Sequence, residues 1–160
     1  MPLLRPVTED DHAKVLALNE RNVEMLAPMS AERLAELAGL ADRFDVVELD
    51  GDFAGFVVTF APGTTYDSEN YRWFSDRYPG AFYYLDRIVL DDRFRRRGLG
   101  GFVYGEMEQR AKEFGRLALE VNLEPRNDAS LAFHSARGYT EVGRLGDDGH
   151  LVSLMVKELA

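Results

Sequence analysis

The sequence predicts a mixed α/β domain of the α+β kind, a largely antiparallel sheet of about six to seven strands carrying about four helices. Three observations predict it. Residues 44–60, FDVVELDGDFAGFVVTF, read as two strands joined at Asp50-Gly51, a strong hairpin signal. The chain closes on two more strand-like runs, YTEVGRL and HLVSLMVKEL, with no helical pattern between them. Elsewhere apolar residues recur at helical spacing between the strands.

Taken in order, LLRPV (3–7) is a short strand. Thr8 then stands ahead of Glu9, Asp10 and Asp11, which suit the positive end of a helix. Val15, Leu16 and Leu18, and later Val23 and Leu26, recur at helical spacing until Pro28 interrupts. Ser30 caps a second helix whose stripe is Leu34, Leu37 and Leu40. After the hairpin, AFYYLDRIVL (81–90) is a strand rich in aromatic and branched residues. FVYGEMEQRAKEF places Val103, Met107 and Phe114 on one helical face. LALEVNL (117–123) is a strand, and NDASLAFHSARG (127–138) a helix capped by Asn127 and ended at Gly138. The order is therefore β-α-α-β-β-β-α-β-α-β-β. No repeat or linker divides it, so residues 1–160 are read as a single domain.

A formal charge of -9 opposes general binding to nucleic acid or anionic membrane and favours a cationic partner. No segment approaches the roughly 20 apolar residues that cross a bilayer, and MPLLRPVTEDD lacks a secretory apolar region. The chain contains no cysteine, which excludes disulfides, thiolate catalysis and thiolate metal sites. A cytoplasmic location is expected. His12, His134 and His150 show no metal-ligand spacing, so no metal is expected.

Against that acidic background FRRRGLGG (94–101) concentrates positive charge. A strand, a short loop, an Arg/Gly run and a helix together describe an anion cradle. Glycine lets backbone approach a ligand closely. The first amides of a helix are unpaired, its dipole adds positive potential, and arginine forks complement phosphate oxygens. The spacing is not that of a Walker loop, nor G-x-G-x-x-G, and seven residues separate Leu90 from Gly98, unlike a tight Rossmann turn.

Arg95-x-x-Gly98-x-Gly100 instead resembles the pyrophosphate loop of the GNAT superfamily of acetyl-CoA-dependent N-acetyltransferases. NDASLAFHSARGY resembles that family's second signature, with Asn127, Ser130, Phe133, Gly138 and Tyr139 at matching positions. The inferred order of elements is similar to the whole GNAT fold. The resemblance implies acetyl-CoA as acyl donor, lying against Ile88, Val89 and Leu90 with a main-chain N–H there as oxyanion donor. It implies a phosphate loop at Arg96, Arg97, Gly98, Leu99, Gly100 and Gly101 with Arg95 at the rim, and a border formed by Asn127, Ser130 and Phe133.

Acetyl transfer to an amine needs a base, an oxyanion donor and a proton for the thiolate. LEV at 119–121 resembles the LEV of ribosomal-protein alanine acetyltransferases, which makes Glu120 the first candidate for the base. Two extra residues between that strand and Asn127 disturb the register. Asp86 competes, because Tyr84, Asp86 and Ile88 share one face of the strand leading into the cofactor site. His134 stands where the family has a tyrosine acid, and an imidazole donates a proton near neutrality; packing beneath the cofactor is its other reading.

Segment 61–80 is long for a hairpin connection and dense in aromatics and carboxylates, a surround that suits an ammonium group. Tyr71, Trp73 and Phe74 are expected to form an acceptor pocket with Asn19, Asn22, Glu24 and Met25 of the turn between the first two helices. A helical insert, packed on the sheet edge or in a homodimer interface, is the alternative. The expected acceptor is a cationic primary amine of a small molecule, amino acid or peptide. Two other readings compete: a non-catalytic acyl-CoA-binding sensor or subunit, and a protein for another phosphorylated ligand.

Overall fold

The computed structural model describes residues 1–159. Seven strands form one sheet: β1 (Pro2–Pro6), β2 (Arg43–Leu49), β3 (Asp52–Phe60), β4 (Tyr83–Leu90), β5 (Arg116–Glu124), β6 (Thr140–Asp147) and β7 (His150–Glu158). Their spatial order is β1-β2-β3-β4-β5-β7-β6. Every neighbouring pair is antiparallel except β4 and β5. Five helices join them: α1 (His12–Glu20), α2 (Ala31–Leu40), α3 (Glu69–Arg77), α4 (Leu99–Ala111) and α5 (Asp128–Ala136).

Both faces of the sheet are covered. Val15 and Leu18 of α1, Leu34 and Leu37 of α2, and Tyr71 and Phe74 of α3 pack against Phe56, Phe60, Tyr84 and Leu154. On the other face Val103, Tyr104 and Met107 of α4 meet Val57, Tyr83, Leu117 and Leu119. Each layer follows from strand alternation, which sends successive side chains to opposite faces.

Most local signals hold. Asp50 and Gly51 adopt φ of 53° and 86°, the pair of positive values that a tight hairpin turn requires. The Ser30 side chain accepts from the Arg33 amide at 3.0 Å, and Asn127 Oδ1 accepts from the Ser130 amide at 3.1 Å. Three details differ from the sequence reading. Thr8 caps a short 3-10 turn over Glu9–Asp11, in which Asp11 ion-pairs with Arg5 at 2.7 Å, and α1 starts only at His12. Helix α1 then stops at Glu20: Asn22 Nδ2 donates to Leu18 O and Asn19 Nδ2 to Ala27 O, so side chains take carbonyls of the turn and Val23 and Leu26 lie outside the helix. Segment 61–80 contains α3, capped by Ser68, which makes five helices instead of about four and agrees with the alternative of a helical insert there.

Gly55 on β3 admits no side chain. A Cβ there would lie 2.2 Å from the Val89 carbonyl oxygen of β4. Gly55→Ala is expected to cost about 1–3 kcal/mol through the forced strand displacement, read as a lowered denaturation midpoint at unchanged m-value. Because the displaced strand is β4, ligand affinity at its far edge should fall with it.

Candidate active site

The one parallel pair is also the shortest. β4 bonds to β5 only at Tyr83↔Leu117 and Tyr84↔Ala118, after which the strands part. Beyond that point β4 keeps β3 and β5 keeps β7. A cavity of about 790 Å³ opens between them, walled by Leu85–Leu90, by Leu119–Asn122, and by Tyr104, Asn127, Ser130 and His134. The Asp91 N–H donates to Ala54 O on β3, so strand alternation points the amides of Ile88 and Leu90 away from β3 into the gap. Val89 faces β3, with its carbonyl against Gly55. Of the three expected backbone partners, two are free to pair with a ligand.

A bulge re-aims β4. Val58 pairs with Arg87 and Thr59 with Leu85, leaving Asp86 without an opposite residue. Tyr84 and Asp86 therefore share a face, but Ile88 packs with the α4 layer instead. The expectation of one continuous face through Tyr84, Asp86 and Ile88 fails because the extra residue shifts the alternation.

At the mouth of the gap the loop folds as the Arg/Gly pattern predicts. Gly98 takes φ 73° as the cap of α4, and Arg96 takes φ 61°. Among the described residues, the amides of 96–101 make no hydrogen bond within the chain, and Arg96 and Arg97 have no acidic partner. Arg95 is tied to Asp92 at 3.1 Å and Arg93 to Asp91 at 3.0 Å. Leu90, Arg95, Arg96, Gly98–Gly101 and Phe133 line a groove here; Arg97 stands beside it. Gly100 lies under Phe133, where a Cβ would contact the ring at 3.7 Å. Unpaired amides, a helix start and two free guanidiniums make a built anion site.

Deeper in the cavity lies a polar cluster. Glu120 stands with the Tyr84 hydroxyl 2.7 Å from both its oxygens and the Asn70 amide 3.0 Å from one. Burial, followed by the nearby Asp86 charge, pushes its carboxyl up to about 8. Asp86 accepts one hydrogen bond at each oxygen, from Tyr66 at 2.5 Å and from Arg87 Nε at 2.9 Å. Arg87 in turn holds Asn19 Oδ1 and Ala27 O, so this ion pair also anchors the α1–α2 turn. Of the two candidate bases, Asp86 is bound in an ion pair with Arg87, whereas Glu120 has no basic partner among the described residues. A carboxyl of perturbed ionisation in a cleft is a candidate functional group.

His134 does not fit the expected acid. Its Nδ1 lies 2.7 Å from the Ser130 carbonyl, which only accepts, so Nδ1 carries the hydrogen. In the neutral ring Nε2 must then accept, and the Tyr104 hydroxyl donates to it at 2.6 Å. Burial holds the imidazole below its ordinary value, which favours that neutral form. Neither ring nitrogen offers a proton to the cavity.

The aromatic acceptor pocket is also corrected. Tyr71 and Phe74 are buried in the core, three apart on the inner face of α3, with the Tyr71 hydroxyl on Ala61 O. Trp73 packs over Gly143 of β6. None of the three lines the cavity. The neighbouring Tyr66, Ser68 and Asn70 do, together with Asn22, Glu24 and Met25; Asn19 is buried behind them. Asn122 Nδ2 donates to Met25 O at 3.1 Å and fixes the turn at the rim. Sequence reasoning also missed Arg87 and Tyr104. Arg87 carries no motif, and Tyr104 reads only as one more apolar position on a helix.

A seven-stranded sheet parted at its one parallel pair, with an anion cradle at the opening, defines an acyltransferase of the acetyltransferase type. The pattern of the acetyltransferase (GNAT) family matches residues 13–139, and the chain belongs to that family. No match to a curated protein was found. The fold is similar to that of Ard1 from Thermoplasma volcanium, at TM-score 0.76 and 18% identity over 99% of this chain and 98% of that one. It is also similar to the ribosomal-protein-S18-alanine N-acetyltransferase from Escherichia coli (0.69, 18%, 100% and 95%) and the ribosomal-protein-alanine N-acetyltransferase from Brucella melitensis (0.71, 23%, 98% and 99%). Among the described residues no helix is long and apolar enough to cross a membrane, and no group of three or more His, Asp or Glu is placed to hold a metal ion.

Proposed function

We propose that the protein transfers an acetyl group from acetyl-CoA to a primary amine by direct attack in a ternary complex, in the cytoplasm. The observation that carries this reading is the parted β4/β5 pair, with unpaired amides of 96–101 at one end and Glu120 at the other. The residues fit the donor. The free amides and Arg96 and Arg97 receive the pyrophosphate, the inward amides of Ile88 and Leu90 pair with the pantetheine arm, and one of them receives the developing oxyanion. Glu120 takes the proton of the attacking amine, directly or through one water.

The acceptor is cationic. Glu24 and Glu124 face the cavity without a basic partner, whereas Arg87 is paired with Asp86 and Arg33 with Asp67 at 2.7 Å. A small amine, an amino acid or a peptide N-terminus suits that wall. The occupied nitrogens of His134 favour a second reading, a non-catalytic acyl-CoA sensor or subunit.

Calorimetry with acetyl-CoA, coenzyme A and ATP, joined to thiol release across an amine panel, separates these. Binding of the first two over ATP with release on at least one cationic amine is the expected result. Tight binding with no release on any amine would leave the sensor, and selective ATP binding would overturn both.

A further inference from the structure

The ion pair with Asp86 occupies only part of the Arg87 guanidinium. Nε donates to Asp86 at 2.9 Å, and Nη1 donates to Asn19 Oδ1 at 3.0 Å and to Ala27 O at 3.2 Å. Three of the five guanidinium hydrogens are thus spent, and the two on Nη2 make no hydrogen bond among the described residues. The Tyr66 hydroxyl adjoins the guanidinium; were it to turn its oxygen to one of the two, the other would stay free. Arg87 is only 7% exposed, yet Nη2 is not sealed, and Ala27, Tyr66 and Asp86 around it line the cavity. A buried cationic donor that opens on a cavity is a place for an incoming acceptor atom. We infer that Arg87 Nη2 holds the carboxylate of the substrate, which makes that substrate a free α-amino acid. The inference rests on the acetyl-transfer reading above and narrows it.

The surrounding groups fit a carboxylate. Guanidinium–carboxylate bonds are charge-assisted and roughly twice as strong as neutral ones. The first turn of α3 adds positive potential to the same wall: Ser68 and Asn70 line the cavity, and the amides of Glu69 and Asn70 make no hydrogen bond within the described residues. Asp86 opposes an anion, but its charge is offset by Arg87 itself. Arg33, the other cation of the cavity, turns both terminal nitrogens to Asp67, at 3.4 and 2.7 Å. Glu24 and Glu124 also face the cavity and disfavour an acidic side chain on the amino acid.

The reacting amine then falls to Glu120. Burial dominates the ionisation of that carboxyl, but the Arg87 charge acts on it too, so the two groups share one chamber. An α-amino acid carries amine and carboxylate on one carbon and meets both. As the amine nitrogen bonds to the acetyl carbon, the C–S bond breaks. Of the two protons that the ammonium gives up, one leaves through Glu120 and one ends on sulfur. The N-acetylamino acid, coenzyme A and one proton remain.

The test measures thiol release from acetyl-CoA with L-arginine, L-methionine and L-serine, each beside its α-amide, in the wild type and Arg87→Met. The amide carries the greater positive charge, so the acidic residues of the cavity alone would favour it. The expected result is a wild-type kcat/KM at least about tenfold higher for the acid than for its amide, in one pair or more. In Arg87→Met that ratio should fall towards one. A merely structural Arg87 would lower acid and amide together, and an unchanged ratio would overturn the inference. If the variant fails to fold, the wild-type ratio decides alone. Wild-type turnover of the amides, or of panel amines without a carboxylate, at or above that of the acids would overturn this inference and leave acetyl transfer standing. Release with no amine at all would overturn the acetyl-transfer reading beneath it.

Discussion

Replacing Glu120 with glutamine is expected to lower turnover by about 10²–10⁴-fold while coenzyme A affinity stays near that of the wild type. Glutamine keeps the size of the side chain and its contacts with Tyr84 and Asn70 but removes the basic lone pair. The cofactor cradle lies at the opposite end of the gap and is untouched. Since the carboxyl is pushed up to about 8, the wild-type kcat/KM should climb with pH and level off above that value. The same shift fixes a sign for stability. A carboxyl raised on folding binds its proton more tightly in the folded state. Its contribution is complete below about 4.5, the ordinary value, and is lost as pH rises through about 8. Glu120→Gln should therefore gain thermal stability over the wild type as pH is raised from 5 to 9. Paired thermal melts at the two ends check this. A variant that loses activity and stability together at pH 9 would mean that Glu120 is a structural group.

The second large effect falls on the fold rather than on the chemistry. Phe74→Ala should cost about 3–5 kcal/mol, because the ring is fully buried and its removal leaves a cavity among Tyr71, Phe82 and Tyr84. In a domain of this size that is a fall in Tm of roughly 10 °C. The acceptor KM, measured well below the transition, should not move. A raised KM with an unchanged Tm would restore the aromatic pocket that the sequence suggests. Asn70→Ala makes the contrast within the same helix. It removes a hydrogen bond to Glu120 and no core volume, so its effect belongs in the pH profile.

What could be read from the chain alone was whatever depends on neighbours in sequence. The Asp50-Gly51 turn, the Ser30 and Asn127 caps and the Arg/Gly cradle are each set within a few residues, and each folds as its local chemistry dictates. Of the four residues of the α1–α2 turn expected at the acceptor pocket, Asn22, Glu24 and Met25 line the cavity. The misreadings share a different cause. The bulge at Asp86 depends on how β3 pairs, which no local signal reveals. Tyr71 and Phe74 are aromatic whether they face substrate or core, and composition does not say which side of α3 meets the sheet. His134 was chosen as an acid from its position, but its protonation is decided by Ser130 O and by Tyr104, thirty residues away. Arg87 is legible only once Asn19 and Asp86 are seen beside it.

The central claim concerns which backbone amides meet the donor, and amide chemical shifts during titration with coenzyme A read it directly. The account predicts saturable shifts concentrated at residues 96–101 and at Ile88 and Leu90, with Val89 less affected because its backbone faces β3. Saturation that leaves residues 96–101 unmoved would contradict it.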